Sequence, residues 1–219
     1  MFIALPGGGI PMTIDTAETA PAAAGRGTFR CVPVATKGDL MKDTQILKAA
    51  SLAAQWHSQQ RRKGAAGEPY VNHLLEVAAL VAEADPGNTD LVIAALLHDS
   101  IEDVKKERAE IAGLFGERVA TLVAEVTDDK SLPKPERKRL QVETAAKKSR
   151  DAKLLKLADK TSNLRSVAKS PPAHWSDERR REYVVWSTAV STGLVGVSEW
   201  LDGEFENAKA LALQSIPTA

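Results

Sequence analysis

The chain reads as an all-α protein, and three observations lead there. From Asp43 onward apolar residues return at spacings of three and four almost without interruption, the period of a helix with one buried face. No stretch alternates in the manner of a half-buried strand, and no internal repeat is visible. With 219 residues and 43 % hydrophobic content, the chain can bury one good core, which favours one domain over residues 41–219.

The elements follow in order. Residues 1–40 are rich in Ala, Gly, Pro and Thr without a sustained period and read as a poorly ordered leader, with Phe29 to Val34 as its one short strand-like stretch. Asp43 is placed to cap a first helix, whose apolar positions are Ile46, Leu47, Ala50, Ala53, Ala54 and Trp56. That helix runs into the basic, glycine-containing loop Arg61 to Gly67. Pro69 or Tyr70 opens a second, with a stripe of Val71, Leu74, Leu75, Ala78, Leu80 and Val81 that stops at the turn Asp85-Pro86-Gly87-Asn88. Thr89 or Asp90 starts a third, which carries His98 and Asp99. Two shorter helices, Lys106 to Phe115 and Glu117 to Thr127, are separated by Gly116. After the turn Asp128 to Pro133, Pro135 suits a first helical position for the charged segment to Lys148. Asp151 caps an apolar helix, Ala152 to Ala168, ended by Pro171-Pro172. Trp175 to Leu213 forms one or two more, weakest at Gly193, Gly196 and Gly203. Trp186, Leu194, Val195, Val197 and Trp200 read as helix-packing core rather than as a cofactor box.

Composition narrows the partners. Lys plus Arg and Asp plus Glu both number 29, so no overall basic field argues for nucleic acid. No apolar run approaches the ~20 residues that cross a bilayer, and Met1 to Pro11 lacks the form of a secretory signal. The single cysteine, Cys31, excludes an internal disulfide and a Cys-rich zinc site and fits a reducing, cytoplasmic setting.

The chemistry concentrates at Ala94 to Asp103, where four apolar residues run directly into His98-Asp99-Ser100-Ile101-Glu102-Asp103. On a continuous helix Asp99, Glu102 and Asp103 share a face, with His98 at its edge. Carboxylates crowded in that way repel unless a cation sits among them, and the imidazole offers it a nitrogen. Polar residues also interrupt apolar helices at Tyr70-Val71-Asn72-His73 and at Lys156-Leu157-Ala158-Asp159 with Asn163. An unpaired buried carboxylate costs several kcal/mol, so Asp99 and Asp159 both call for a nearby positive charge. One shared ion would satisfy both. His73, His98, Asp99 and Asp159 together make a mixed N/O set suited to Mn²⁺, Fe²⁺ or Zn²⁺. Taken singly, His73 reads as a hydrogen-bonded helix residue and Asp159 as a surface partner of Lys156 or Lys160.

Taken jointly, His73, His98-Asp99 and Asp159 resemble the H…HD…D signature of the HD-domain phosphohydrolases. Gln60 to Lys63, Glu68 to His73, Ala94 to Val104, Phe115-Gly116, Val126 to Lys130, Leu154 to Asp159 and Asn163 to Arg165 resemble the hydrolase domain of the Rel/Spo alarmone enzymes. Thr127 to Val142 and Trp175 to Tyr183 are similar to the small stand-alone alarmone hydrolases, the metazoan SpoT homologues among them. The likeness covers roughly residues 43 to 210.

That resemblance implies an HD-domain helical bundle and Mn²⁺-dependent removal of the 3′-pyrophosphate from guanosine tetra- or pentaphosphate. It implies that His73, His98, Asp99 and Asp159 hold one divalent ion, and that Glu102 and Asp103 position and activate the attacking water. It also implies ligand contacts from Arg62 and Lys63 of the basic loop, from Asn163, four residues after Asp159, and from Lys134, Arg179 and Tyr183. The partner is then a small nucleotide, not nucleic acid or a membrane. The sequence departs from the family at Leu74, where proline is common, and at Thr161-Ser162, where bulkier residues are usual. The second departure is expected to alter the pocket wall beside the base. Nothing after Ala168 resembles a synthetase domain, so hydrolysis without synthesis is expected. Two other readings stand beside this one: removal of the 2′-phosphate of NADPH by the same site, and a nucleotide-binding sensor that has lost hydrolysis. A sensor would be expected to lack a ligand or the Glu102-Asp103 pair, and all are present.

Overall fold

The axis of the fold is a long helix that is buried on almost every side. The structure is a computed structural model that describes residues 37–217, and among these it is helical, with no strand. The order is α1 (Lys37–Trp56), α2 (Val71–Ala84), α3 (Thr89–Leu97), α4 (Ser100–Val104), α5 (Arg108–Phe115), α6 (Glu117–Val126), α7 (Lys134–Thr144), a 3₁₀ turn (Ala145–Lys147), α8 (Arg150–Lys169), α9 (Asp177–Ser191) and α10 (Glu199–Gln214). Of the leader read over residues 1–40, residues 1–36, with the Phe29 to Val34 stretch and Cys31, lie outside the described residues, and residues 37–40 belong instead to α1.

α8 is the axial helix. It packs against α2, α6, α9 and α10, and Leu154, Leu155, Leu157, Ala158 and Leu164 are at most 1 % exposed. The same helix buries Lys156, Asp159, Lys160, Thr161 and Ser162. A helix enclosed by neighbours has no solvent face to carry its polar residues, so each must find a partner inside the protein. α2 and α3 pair beside it and contribute Leu74, Val77, Val81, Leu91, Ala95 and Leu97 to the one contiguous core.

Several boundaries differ from the sequence reading, each for a local reason. α1 begins at Lys37, which leaves Asp43 within the helix instead of at its start. Ser149, not Asp151, caps α8 by accepting from the Ala152 amide, while Asp151 bonds Arg118 at 3.0 Å. Serine caps also open α9 (Ser176) and α10 (Ser198), each contributing about 1 kcal/mol. α3 ends at Leu97, and His98 and Asp99 form a short joint before α4. Gly116 takes φ 92° and ψ 164°, open essentially to glycine alone, and this kinks the chain between α5 and α6. Leu47 and Leu75, read as buried stripe positions, are 70 % and 46 % exposed, and Val195 and Trp200 also face outward. Leu194 is buried as expected, and the Trp186 indole donates to the Lys138 carbonyl.

Candidate metal centre

Three elements bring their polar residues to one point. His73 lies in the first turn of α2, His98 and Asp99 form the joint between α3 and α4, and Asp159 is at the middle of α8. The joint breaks the regular helix enough to turn both residues inward, while Asp103 N still bonds Asp99 O at 2.8 Å. His73 Nε2 lies 3.8 Å from Asp99 Oδ2 and 3.4 Å from Asp159 Oδ1. His98 Nε2 lies 3.1 Å from Asp99 Oδ2 and 3.9 Å from Asp159 Oδ1. All four residues are largely buried; Asp159, on its own read as a surface partner, is 8 % exposed.

Whether this set fits a metal ion turns on His98. Its Nδ1 faces the Ala95 carbonyl at 2.8 Å, which can only accept, so Nδ1 carries a ring proton and, in the neutral imidazole, Nε2 is the bare nitrogen. That nitrogen is buried and has no hydrogen-bond partner. It lies 3.1 Å from Asp99 Oδ2 and 3.9 Å from Asp159 Oδ1. Two imidazole nitrogens and two carboxylate oxygens form a borderline-to-hard donor set, suited to a divalent first-row cation. Among the described residues, His73, His98 and Asp99 each bring one donor atom within 4.8 Å of the others.

The electrostatics agree with that reading. Burial lowers the His73 imidazole, which favours the neutral ligand form. For His98 burial acts downward too, but the adjacent Asp99 carboxylate outweighs it and pushes the group up to about 9. Burial opposes ionisation of Asp99 and Asp159, yet His98 beside the first and Lys160 beside the second hold both below the usual carboxylate range. The cluster thus collects positive charge in whatever form is at hand: a proton on His98, and Lys160 Nζ at 3.2 Å from Asp159.

Glu102 and Asp103 are one turn further on, in α4, and they face a different cation. Lys130 Nζ is 2.6 Å from Asp103 Oδ1 and 3.5 Å from Glu102 Oε1. Gln60 Nε2 donates to Asp103 Oδ2 at 2.7 Å, and its own oxygen is 2.6 Å from His57 Nδ1, so the buried His57 orients the amide. Burial, then Asp128 and Asp99, raise the Glu102 carboxyl above the usual range. Of the three carboxylates expected on one helical face, only Asp99 joins the histidines; the other two flank Lys130.

A cavity of 340 Å³ adjoins the centre, lined among others by Arg62, Lys63, Tyr70, Asp103, Asn163 and Tyr183. Two lining residues reach the cluster directly: the Tyr70 hydroxyl donates to Asp99 Oδ2 at 2.6 Å, and Asn163 Nδ2 donates to Asp159 Oδ1 at 2.6 Å. Arg62 in turn donates to Asn163 Oδ1 at 2.9 Å. Trp175 and Tyr183, with ring centroids 5.3 Å apart, form an aromatic wall. Lys134 and Arg179 do not line the cavity. Arg179 sits over the Trp175 ring and pairs with Glu182, and both cations act on Lys138, which burial and their charge lower to about 8. Larger clefts of 720 and 580 Å³ run along α1, but neither contains a residue of the cluster. Size alone does not select the site.

Ser162 is not in this wall. It lies behind His73, with Oγ 2.8 Å from His73 Nδ1, so the expected change beside the base is instead a change behind this histidine. Sequence reasoning also passed over Tyr70, Gln60 and Lys130 as site residues. Tyr70 is three residues before His73 and shares its helical face, a spacing that marks it in retrospect. Gln60 and Lys130 are brought in from loops, which no periodicity reports.

Comparison with known proteins bears on the same residues. Residues 49–188 match the model of the HD domain. The human guanosine-3′,5′-bis(diphosphate) 3′-pyrophosphohydrolase MESH1 is 49 % identical over 160 residues, which span 72 % of this chain and 89 % of that protein. The protein of the same name from Drosophila melanogaster is 46 % identical over 159 residues, 72 % of this chain and 89 % of its own. A solved structure described as a metazoan orthologue of SpoT that hydrolyses ppGpp superimposes with a TM-score of 0.72 at 45 % identity, covering 75 % of this chain and 93 % of that one.

Proposed function

The chain belongs to the HD-domain family, and from that premise we propose that it is a metal-dependent hydrolase that removes the 3′-pyrophosphate of guanosine 3′,5′-bis(diphosphate), acting in the stringent response. The observation that carries the proposal is the convergence of His73, His98, Asp99 and Asp159, from three separate elements, beside a cavity lined by Arg62, Lys63, Asn163 and Tyr183. Those four residues would hold one divalent ion, with Mn²⁺ as our choice. Such an ion supplies Lewis acidity, lowering the pKa of water and drawing charge from a phosphoryl oxygen.

The chain's own groups do the rest. Glu102 and Asp103 orient the attacking water and take its proton, Asp103 being fixed through both oxygens by Gln60 and Lys130. Water oxygen adds to the phosphorus next to the ribose, the P–O3′ bond breaks, and the 3′ oxygen leaves with a proton, giving the nucleoside diphosphate and pyrophosphate. Arg62 and Lys63 bind anionic oxygens, and Asn163, held by both Arg62 and Asp159, meets the nucleoside. Trp175 and Tyr183 offer their faces to the base. Lys134 and Arg179 are assigned to the outer phosphates. A cytoplasmic setting accords with the single cysteine.

The test is product identification after incubation with guanosine 3′,5′-bis(diphosphate) or NADPH and Mn²⁺. GDP with pyrophosphate, at the higher kcat/KM, is the expected result. A much larger kcat/KM for NADPH would move the function to its 2′-phosphate, and nucleotide binding without turnover of either would make the protein a sensor.

A further inference from the structure

Ser162 has one hydroxyl proton and two close partners, and this decides the protonation of a ligand histidine. Its oxygen lies 2.8 Å from His73 Nδ1 and 2.7 Å from Glu76 Oε2. Glu76 is itself bound by Arg165 Nη1 at 3.1 Å, and Arg165 continues to Glu204. A carboxylate held by a guanidinium can only accept, so the Ser162 proton goes to Glu76. Ser162 Oγ must then accept from His73 Nδ1–H. In a neutral imidazole that leaves Nε2 bare, and Nε2 is the atom that faces Asp99 and Asp159.

We propose that Glu76 and Ser162 form a relay that positions His73 as a metal ligand, fixing its tautomer and ring orientation through Arg165 and Glu204. The proposal rests on the metal centre described above and deepens it. His98 obtains the same result from its own backbone, the Ala95 carbonyl three residues earlier, whereas His73 is tied to side chains on three helices. At His73 the carbonyl three residues earlier, that of Tyr70, accepts the backbone amide at 3.0 Å, and Nδ1 meets the relay instead. α2 supplies the histidine and Glu76, α8 supplies Ser162 and Arg165, and α10 supplies Glu204, so the packing of α8 between α2 and α10 sets the direction of the ligand. Outer partners of a ligand histidine typically change metal affinity by 10- to 100-fold when removed.

The experiment is calorimetric titration of the metal-free full-length protein with Mn²⁺, for wild type and for Ser162→Ala, Ser162→Thr and Glu76→Ala. Circular dichroism and the metal-free Tm show that each variant is folded. Ser162→Ala is expected to weaken Mn²⁺ binding by about 10- to 100-fold, with Glu76→Ala moving in the same direction. Ser162→Thr keeps the hydroxyl, so once shown to be folded it should bind within about threefold of wild type. Unchanged Kd in Ser162→Ala overturns the relay, as does a Ser162→Thr variant as weak as Ser162→Ala. Wild type that fails to bind Mn²⁺ would remove the metal centre, and the relay with it; wild type that binds while Ser162→Ala binds equally removes the relay alone.

Discussion

Lys130 lies between the two carboxylates assigned to the attacking water. Burial raises Glu102, and Lys130 opposes that rise by favouring the ionised form. The base must be unprotonated, so kcat falls as pH drops through the raised value, and removing the lysine moves that fall to higher pH. Lys130→Met should therefore shift the acid limb of kcat upward, by about one pH unit for a partly exposed cation. A pH–rate profile of the variant with an unmoved acid limb would take Lys130 out of the mechanism. Asp103→Asn should lower kcat by about 10²- to 10⁴-fold while Mn²⁺ still binds, which rapid-quench and calorimetric measurements separate. At this scale the sequence made the cluster of His73, His98, Asp99 and Asp159 legible, because histidines and carboxylates inside apolar helices carry a cost that calls for a nearby charge. It left Lys130 and Gln60 unread, since a polar residue in a loop costs nothing until the fold is known.

Among the elements, the loop between α1 and α2 is the one whose position matters most to the ligand. It carries Arg61, Arg62 and Lys63; a bridge of Arg61 with Pro69 closes it on itself, and one of Gly64 with Pro172 pins it just past the end of α8. Gly64 approaches so closely that a Cβ built on it would lie 2.2 Å from the Ser170 carbonyl oxygen and 2.5 Å from its hydroxyl. A backbone oxygen at a helix end has little room to retreat. Gly64→Ala should thus lift the loop and its basic pair away, raising KM by about 10- to 100-fold, the worth of a charged hydrogen bond, with kcat less affected. Steady-state kinetics would show it; an unchanged KM would mean that Arg62 and Lys63 do not meet the substrate. Glycine in a basic loop is visible in the sequence, but the reason for it is not. Ser170 lies 106 positions after Gly64, and only the return of α8 brings them together.

Over the whole molecule, the ion would join three helical segments that are otherwise held by packing and by the contacts of Ser162 and Arg165 with His73 and Glu76. As ligands, His73, His98, Asp99 and Asp159, on α2, the α3–α4 joint and α8, would make folding and metal binding one equilibrium. At a Mn²⁺ concentration about 100 times Kd the native state should gain about 2.7 kcal/mol, which for a domain of this size raises Tm by about 5–10 °C. Chelation by EDTA should reverse the gain, and thermal unfolding with and without the ion measures both. In the Asp159→Ala variant the metal-dependent shift should vanish; a shift that persists would place the ion elsewhere.

The helical class, the order of the helices and the four prospective ligands were all legible in the residues, because a 3.6-residue period and charges set among apolar neighbours are local features of the chain. The helix ends were less so: α8 starts from Ser149 rather than Asp151, since two candidate caps two residues apart differ only in which reaches the free amides. What only the tertiary structure decided is which side of each polar residue meets which neighbour. Ser162 looked like part of a pocket wall and instead stands behind His73, Leu47 and Leu75 follow the apolar period yet face outward, and Tyr70 and Asn163 reach the cluster from the cavity side. Periodicity fixes a face around one helix axis. The neighbour placed against that face is set by how α8 lies between α2 and α10, and that is a property of the packed core.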